Sequence, residues 1–238
     1  MLKRALVAVA ALIGIALTLS LGFWQWGRGQ QRTAMHEAIA ARGRLAALGV
    51  AELPAHLDPD DPLLHRRAVL QGEWLPAHTV FLDNRQMNGV PGFYVLTPLR
   101  LQGRNDVVLV QRGWVQRNFA RRDALPGVQT AAGVVEVRGR LAPPPAKLYD
   151  FVKEENGPIR QNLDLTRFRA ETGLPLLPYS LQQAGPPSEG LQRQWPQAGS
   201  GAEKNYGYAF QWWALAVLIA LLYVWFQLIS PRRQVRNV

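Results

Sequence analysis

The hydrophobic positions fall into three regimes: an unbroken apolar run near each end, and short alternating runs between them. From Tyr206 to Ile229 no charged residue occurs, and Pro231, Arg232 and Arg233 follow at once. A helix rises about 1.5 Å per residue, so about 20 apolar residues cross a hydrocarbon core of about 30 Å. The run is long enough, with slack for tilt. Its aromatics gather at the two ends, with Tyr206, Tyr208, Phe210, Trp212 and Trp213 in front and Tyr223, Trp225 and Phe226 behind. Amphipathic rings settle at headgroup depth, which makes 206–229 a predicted transmembrane helix rather than a soluble core helix. Asn205, Tyr208 and Trp212 stand at i, i+3 and i+7, one stripe of that helix. The stripe reads either as a place to hold a partner or ligand, or as an aromatic anchor.

Near the other end, Lys3 and Arg4 precede an uncharged run from Ala5 to Trp26. A signal peptide and a retained anchor are both consistent with that opening. The run exceeds the roughly 7–15 residues of a signal's apolar core. Bulky Phe23-Trp24-Gln25-Trp26 also stands where small residues would mark cleavage, so 5–26 is read as a first transmembrane helix. Ala10, Gly14, Thr18 and Gly22 recur every four residues, a small-residue ridge on which another helix can pack closely. Two spans put both termini on one side. Lys3, Arg4, Arg232, Arg233 and Arg236 favour the cytoplasm for that side, against Arg28, Arg32 and Lys204. The expected organisation is a first span at 5–26, an extracytoplasmic domain at 27–205, a second span at 206–229 and a basic cytoplasmic tail at 230–238.

Between the spans, Gln30–Leu48 has helical composition and no proline, and predicts a helix leaving the membrane. Leu53–Pro62 is a loop, with three prolines and three aspartates. Asp58, Asp60 and Asp61 lack the ligand spacing of a calcium loop and read as a solvated turn. From Arg66 to Leu141 the pattern changes to strands: Ala68–Gly72, Thr79–Leu82, Phe93–Thr97, Val107–Val110 and Val134–Arg138, separated by glycine, proline, asparagine and aspartate turns. With short spacing and no early long helix, the sheet should be antiparallel. Leu163–Thr172 predicts a short helix capped by Asp164 or Thr166 and stopped by Gly173 and Pro175. Leu176–Gln182 offers a last strand, and Ala184–Lys204, rich in Gly, Pro, Ser and Gln, a loop returning to the membrane. Trp195 in that loop either docks on the domain or rests at the interface. The fold class is therefore α+β: two transmembrane helices flanking an antiparallel, barrel-like extracytoplasmic sheet.

A formal net charge of +10 suggests nucleic acid, but five of the cations lie outside the apolar runs. With these set aside, the 27 basic residues fall to 22 against 17 acidic, with the signs interspersed. No basic stripe interleaves with aromatics, which argues against nucleic-acid binding. Absence of cysteine excludes disulfides, thiolate metal sites and a cysteine nucleophile. His36, His56, His65 and His78 show no metal-ligand spacing, and Gly199-Ser200-Gly201 lacks the strand-to-helix context of a nucleophile elbow. Arginine and tryptophan at strand and helix ends stand out instead: Arg112-Gly113-Trp114, Asn84-Arg85, and Trp24, Trp26 and Arg28. A guanidinium fork suits carboxylates, haem propionates or a partner's acidic rim. Trp and Arg are also frequent interface anchors. The competing reading is that these arginines pair with acids inside the domain.

Four blocks in order, Leu21–Arg28, Asn84-Arg85 with Pro91–Leu99, Val108–Val115 and Asn205–Trp212, resemble the signature blocks of the Surfeit locus protein 1 family. The resemblance covers nearly the whole chain. It implies a bacterial cytoplasmic-membrane assembly factor for haem–copper terminal oxidases, acting when haem a enters the catalytic subunit. It implies the oxidase catalytic subunit as partner and a central domain outside the cytoplasm; the scarcity of catalytic constellations points to a non-enzyme, and haem a synthase enters as a possible partner with the carrier reading. The arginine and tryptophan chemistry above, with the stripe on the second span, makes Trp24, Trp26, Arg28, Asn84, Arg85, Arg112, Trp114, Tyr208 and Trp212 the expected partner contacts. Many relatives carry a histidine at the head of the second span, where this chain has Asn205. Haem iron takes His, Cys, Met or Tyr, so Asn205 is a poor ligand, with Tyr208 and His36 the other candidates. The leading function is a membrane chaperone; the alternatives are a haem a carrier and, more remotely, a membrane-tethered hydrolase.

Overall fold

The structure, a computed structural model, describes residues 2–58, 61–121, 125–148, 157–195 and 201–230. The chain divides into two compact units, Met1–Ala38 with Ala198–Val238, and Ile39–Gln197.

The first unit pairs two helices. Helix α1 runs unbroken from Leu2 to Arg42. The sequence predicts a span and a separate helix beginning at Gln30. They are one element because Gly27 and Gly29 lower helix propensity by about 1 kcal/mol each without removing a hydrogen bond, as a proline would. Helix α3 covers Ala202–Tyr223 and continues as a π-helical turn through Val224–Ile229. Both helices are long and apolar enough to cross a membrane, and only 11% of each apolar window is buried. The core helix of a soluble protein would be mostly buried. Of the expected basic tail at 230–238, residues 231–238 lie outside the described residues.

The small-residue ridge is where the two helices meet, displaced from its expected start. Ala10 is exposed, while Thr18, Gly22 and Gly29 are buried. A Cβ on Gly22 would lie 2.2 Å from Trp213 Nε1, and one on Gly29 would lie 2.6 Å from the Tyr206 ring. Only glycine admits these rings. The Thr18 hydroxyl donates back to the Gly14 carbonyl at 2.8 Å, which keeps a polar side chain satisfied within its own helix.

The second unit is a closed barrel. Strands β1 (Arg67–Trp74), β5 (Val134–Ala142), β7 (Leu176–Gln183), β4 (Val107–Gln116) and β3 (Val90–Leu101) pair in that order, and β3 returns to β1. Closure occurs at Gly72, where β1 meets both neighbours; a Cβ there would sit 2.2 Å from the Arg100 carbonyl oxygen. Strand β2 (Val80–Met87) extends from β3 beyond the ring, edged by the two-residue β6 (Ile159–Arg160).

The sheet is mixed, not purely antiparallel as the sequence predicts: β4 with β7 and β2 with β6 run parallel. The 59 residues between the end of β4 at Gln116 and the start of β7 at Leu176 include β5 and helix α2 (Leu165–Thr172), room enough for a parallel crossover.

Alternate residues of β4 face two cores. Val108 and Val110 join Leu70, Leu99, Val137, Leu141, Leu177 and Leu181 inside the barrel. Val107 and Leu109 pack with Val80, Leu82, Leu96 and Leu176 against Leu165 and Phe168 of α2. That double burial is why β4 reads as an uninterrupted apolar run. Asp164 caps α2, accepting from the Thr166 and Arg167 amides, and Gly173 ends it in the left-handed region at φ 68°. Lys147, 2.7 Å away, holds the Asp164 carboxyl below its ordinary range.

In the barrel core, the Tyr179 hydroxyl donates to the Pro54 carbonyl at 2.6 Å. Burial pushes its phenol up to about 12, against an ordinary value of 10.0. The fold therefore favours the neutral phenol. That stabilisation is complete below the unfolded value and is lost as pH rises towards the folded one. Urea unfolding between pH 9 and 12 should show stability falling through this window; Tyr179→Phe should flatten the fall and cost about 1 kcal/mol at neutral pH.

Candidate functional site

The signature residues of the barrel unit converge where β4 leaves β7. Beyond Gln111, β7 no longer pairs with β4. Its place is taken by a strap, 185–195, whose Gln192 exchanges amide hydrogen bonds with Trp114 at 2.7 and 2.8 Å. Gly113 permits this approach, since a Cβ there would lie 2.7 Å from the Gln192 carbonyl oxygen. The strap folds on itself between Ser188 and Leu191, with Glu189 and Gly190 at positive φ.

Under the strap lies Arg112, its side chain wholly buried. One terminal nitrogen donates to Thr130 Oγ1 and the other to the Gln129 carbonyl, each at 2.7 Å. Glu189 Oε2 is 3.1 Å away, and the guanidinium rests 4.6 Å from the Trp74 ring centroid. The same carboxylate accepts from Arg193 at 2.9 Å, while Arg193 Nε donates to the Arg112 carbonyl. Two buried guanidiniums thus share one carboxylate. Burial lowers the Arg193 pKa and Glu189 offsets the fall.

Arg85 and Trp114 form the adjoining layer. Trp114 Nε1 donates to the Arg85 carbonyl at 2.9 Å, and the Trp114 ring lies on Gly92, where a Cβ would come within 2.5 Å. The Arg85 guanidinium donates to the Gln161 carbonyl and stands 5.8 Å from the Tyr94 centroid. Burial lowers its pKa and raises that of Tyr94. Asn84 sits exposed at the bulge between Leu82 and Arg85, with φ 59°. Trp195 docks on the domain: its indole donates to the Gln183 carbonyl and packs edge-on against Tyr94 at 5.1 Å.

Sequence reasoning places Arg85, Arg112 and Trp114 at an interface. All three are instead buried within the domain, and Arg112 pairs with an acid of its own chain. The same reasoning missed Trp74, Glu189 and Arg193. The spacing of Glu189 and Arg193, four residues apart with opposite charge, was the available signal, obscured by its proline- and glycine-rich setting.

The helix unit holds the remaining predicted residues. Trp26 packs on Tyr206 at 4.8 Å and Trp213 at 5.8 Å, and Phe23 meets Trp213 edge-on. Asn205 Nδ2 donates to Gln25 Oε1 at 2.7 Å. Trp24, Arg28, His36 and Tyr208 are exposed, and Trp212 is half-buried. The expected stripe is therefore split: Asn205 faces the other helix while Tyr208 faces out. This donor set does not fit a haem iron held by the chain alone. Asn205 is not a ligand of that type and its amide is engaged; Tyr208 and His36 are exposed and belong to different helices. Among the described residues, no three His, Cys, Asp or Glu side chains converge to hold a metal. Asp58 faces His56 at 3.3 Å, Asp61 accepts from the Leu63 amide, and Asp60 lies outside the described residues.

The described residues hold a small closed barrel latched by a buried arginine pair, in a chain that also carries two helices long and apolar enough to cross a membrane. Residues 12–217 match the SURF1 (Surfeit locus protein 1) family. The chain belongs to that family. It is 26% identical over 223 residues to a SURF1-like protein of Rickettsia conorii, covering 89% of this chain and 87% of the relative. It is 29% identical over 108 residues to a SURF1-like protein of Rickettsia felis, covering 44% of this chain and 45% of that protein. To the Saccharomyces cerevisiae "Cytochrome oxidase assembly protein SHY1" it is 27% identical over 110 residues, 45% of this chain and 28% of the yeast protein. The last two matches thus span less than half of each relative.

Proposed function

We propose that the chain is a membrane-anchored, non-catalytic assembly factor for a haem–copper oxidase of the cytochrome c oxidase type, engaging the catalytic subunit while haem a is inserted. The observation that carries this reading is the family match over 12–217, together with a yeast relative named for cytochrome oxidase assembly. In this reading α1 and α3 cross the bacterial cytoplasmic membrane with both termini in the cytoplasm, and the barrel stands outside. The exposed Trp24, Arg28, Tyr208 and Asn84, with the half-buried Trp212 and the rim of Trp26, meet the partner. Arg85, Arg112 and Trp114 act indirectly, by holding the strap and the β2–β3 arm in shape.

A haem a carrier between synthase and oxidase is the second reading. The donor set around Asn205 favours the chaperone over it. A deletion strain should lose assembled oxidase and its haem a absorbance while other respiratory complexes stay at wild-type levels. Normal oxidase in that strain would remove the proposal. Purified chain from cells that make haem a should carry no stoichiometric haem spectrum; a one-to-one spectrum would move the assignment to the carrier.

A further inference from the structure

We propose that the outer face where β1 and β5 meet the end of α1 is a docking surface for an acidic segment of a partner protein, held by Arg42, Arg44, Arg66, Arg67 and Arg140. Arg67 and Arg140 are directly opposed in the β1–β5 pairing. Their neighbours Ala68 and Gly139 are buried, so both arginines lie on the outward face. Like charges directly opposite in an antiparallel pair destabilise it. The guanidiniums turn to opposite sides, Arg67 to the Arg44 and Leu45 carbonyls and Arg140 to Gln182 on β7, which lessens this repulsion, and a bound anion would lessen it further.

The remaining arginines are brought to the same place by the backbone. Arg67 donates to the carbonyls of Arg44 and Leu45, Arg66 to that of Ala46 at 2.8 Å, and Arg42 to that of Asp61. Arg140 donates to Gln182 Oε1 at 2.7 Å on the next strand. Carbonyl and amide oxygens fix the side chains of Arg42, Arg66, Arg67 and Arg140 without neutralising them, while Arg44 is exposed beside them and contributes its carbonyl to Arg67. Among the described residues, none of the five lies within 4.0 Å of a carboxylate oxygen. Elsewhere on the domain Arg104, Arg112, Arg117, Arg138, Arg160 and Arg193 each have one. Arg85, Arg100, Arg121 and Arg169 also lack one among the described residues, but they lie on separate parts of the domain, whereas five gather on this face.

The Asp61 carboxylate, on the neighbouring loop, is turned to the Leu63 amide. His65, at the centre with φ 68°, has its pKa lowered by burial and then by Arg140 and Arg42, in keeping with the positive potential there. Arg66 Nε is buried without an acceptor. Planar forks fixed by the backbone match carboxylates two bonds at a time, which favours an acidic protein segment over a diffuse layer of lipid headgroups. The inference concerns the partner's chemistry and stands apart from the oxidase reading.

The test uses the full chain in nanodiscs of neutral phosphatidylcholine, titrated with a fluorescent octaglutamate peptide. Arg67→Gln/Arg140→Gln should weaken binding by about tenfold or more, while Arg67→Lys/Arg140→Lys, which keeps the charge and guards against misfolding, should stay within about threefold. Arg100→Gln/Arg121→Gln removes the same charge elsewhere and should change binding less than about twofold. Equal weakening by this control, or wild-type binding by the first variant, would overturn the proposal. Since the chain has no cysteine, Leu45→Cys can carry a single polarity-sensitive dye. Its emission should respond to the peptide and not to anionic lipid; a response to anionic nanodiscs alone assigns the face to the bilayer and overturns the proposal.

Discussion

Replacing Glu189 by alanine should destabilise the barrel unit by about 3 kcal/mol, more than replacing Arg112 by methionine. The asymmetry follows from the count of charges. Arg112 and Arg193 are both buried and share the Glu189 carboxylate. Removing that carboxylate leaves two guanidiniums desolvated beside each other, and breaking a buried pair from one side costs about 3–5 kcal/mol. Glu189 keeps a quarter of its side-chain surface in solvent, which places the expected effect at the low end of that range. Methionine at 112 instead removes one of two cations, fills much of the same volume against Trp74, and leaves Glu189 paired with Arg193. Urea unfolding in mild detergent, followed by tryptophan fluorescence, gives both numbers. Equal losses, or a larger one for Arg112→Met, would mean that the fork's bonds to Thr130 and Gln129, not the shared carboxylate, dominate the latch.

A branched side chain at Gly22 or Gly29 should separate the two helices. The Cβ of any residue at 22 would overlap the Trp213 indole, and at 29 the Tyr206 ring. Isoleucine adds three further carbons to that overlap, and overpacking of this kind costs about 1–3 kcal/mol, with the rings displaced first. The readout is a cysteine pair at positions 14 and 219, which face each other across the helices: a Cβ built at Gly14 would lie 3.5 Å from Ile219 Cδ1. Bridging by a short bifunctional maleimide should be efficient in the otherwise wild-type chain and fall several-fold with Gly22→Ile or Gly29→Ile. Gly27→Ile is the control, because a Cβ there meets nothing within 4 Å. Loss of cross-linking by the control as well would place the cause in helix propensity rather than contact.

Much of the framework was legible in the chain because local signals and tertiary demands agreed. Asp164 and Gly173 mark the ends of α2 by their capping chemistry; four of the five strands predicted between Arg66 and Leu141 fall within observed ones, and the fifth, Thr79–Leu82, starts one residue before β2. The small-residue spacing located the helix contact from Gly14 onward. Strand direction was not legible. Parallel pairing of β7 with β4 depends on a crossover whose route no local pattern encodes. The site was half legible: Arg112-Gly113-Trp114 and Asn84-Arg85 stand out in sequence, but their burial depends on a strap contributed from 185–195. Glycine, proline and serine there read as a plain linker, although Gly113 and Gly92 are the complementary vacancies that admit the strap and the Trp114 ring.

The central claim is that lipid holds both ends of the chain while the barrel is presented across the membrane to a client. Its most direct measurement exploits the lack of native cysteine. Single cysteines placed at Asn105, on the exposed turn between β3 and β4, and at Lys3 are probed with a membrane-impermeant maleimide in intact spheroplasts. The account expects position 105 to label before lysis and position 3 only afterwards. Labelling of position 3 in intact cells with position 105 protected, or recovery of the chain in the soluble fraction, would contradict it.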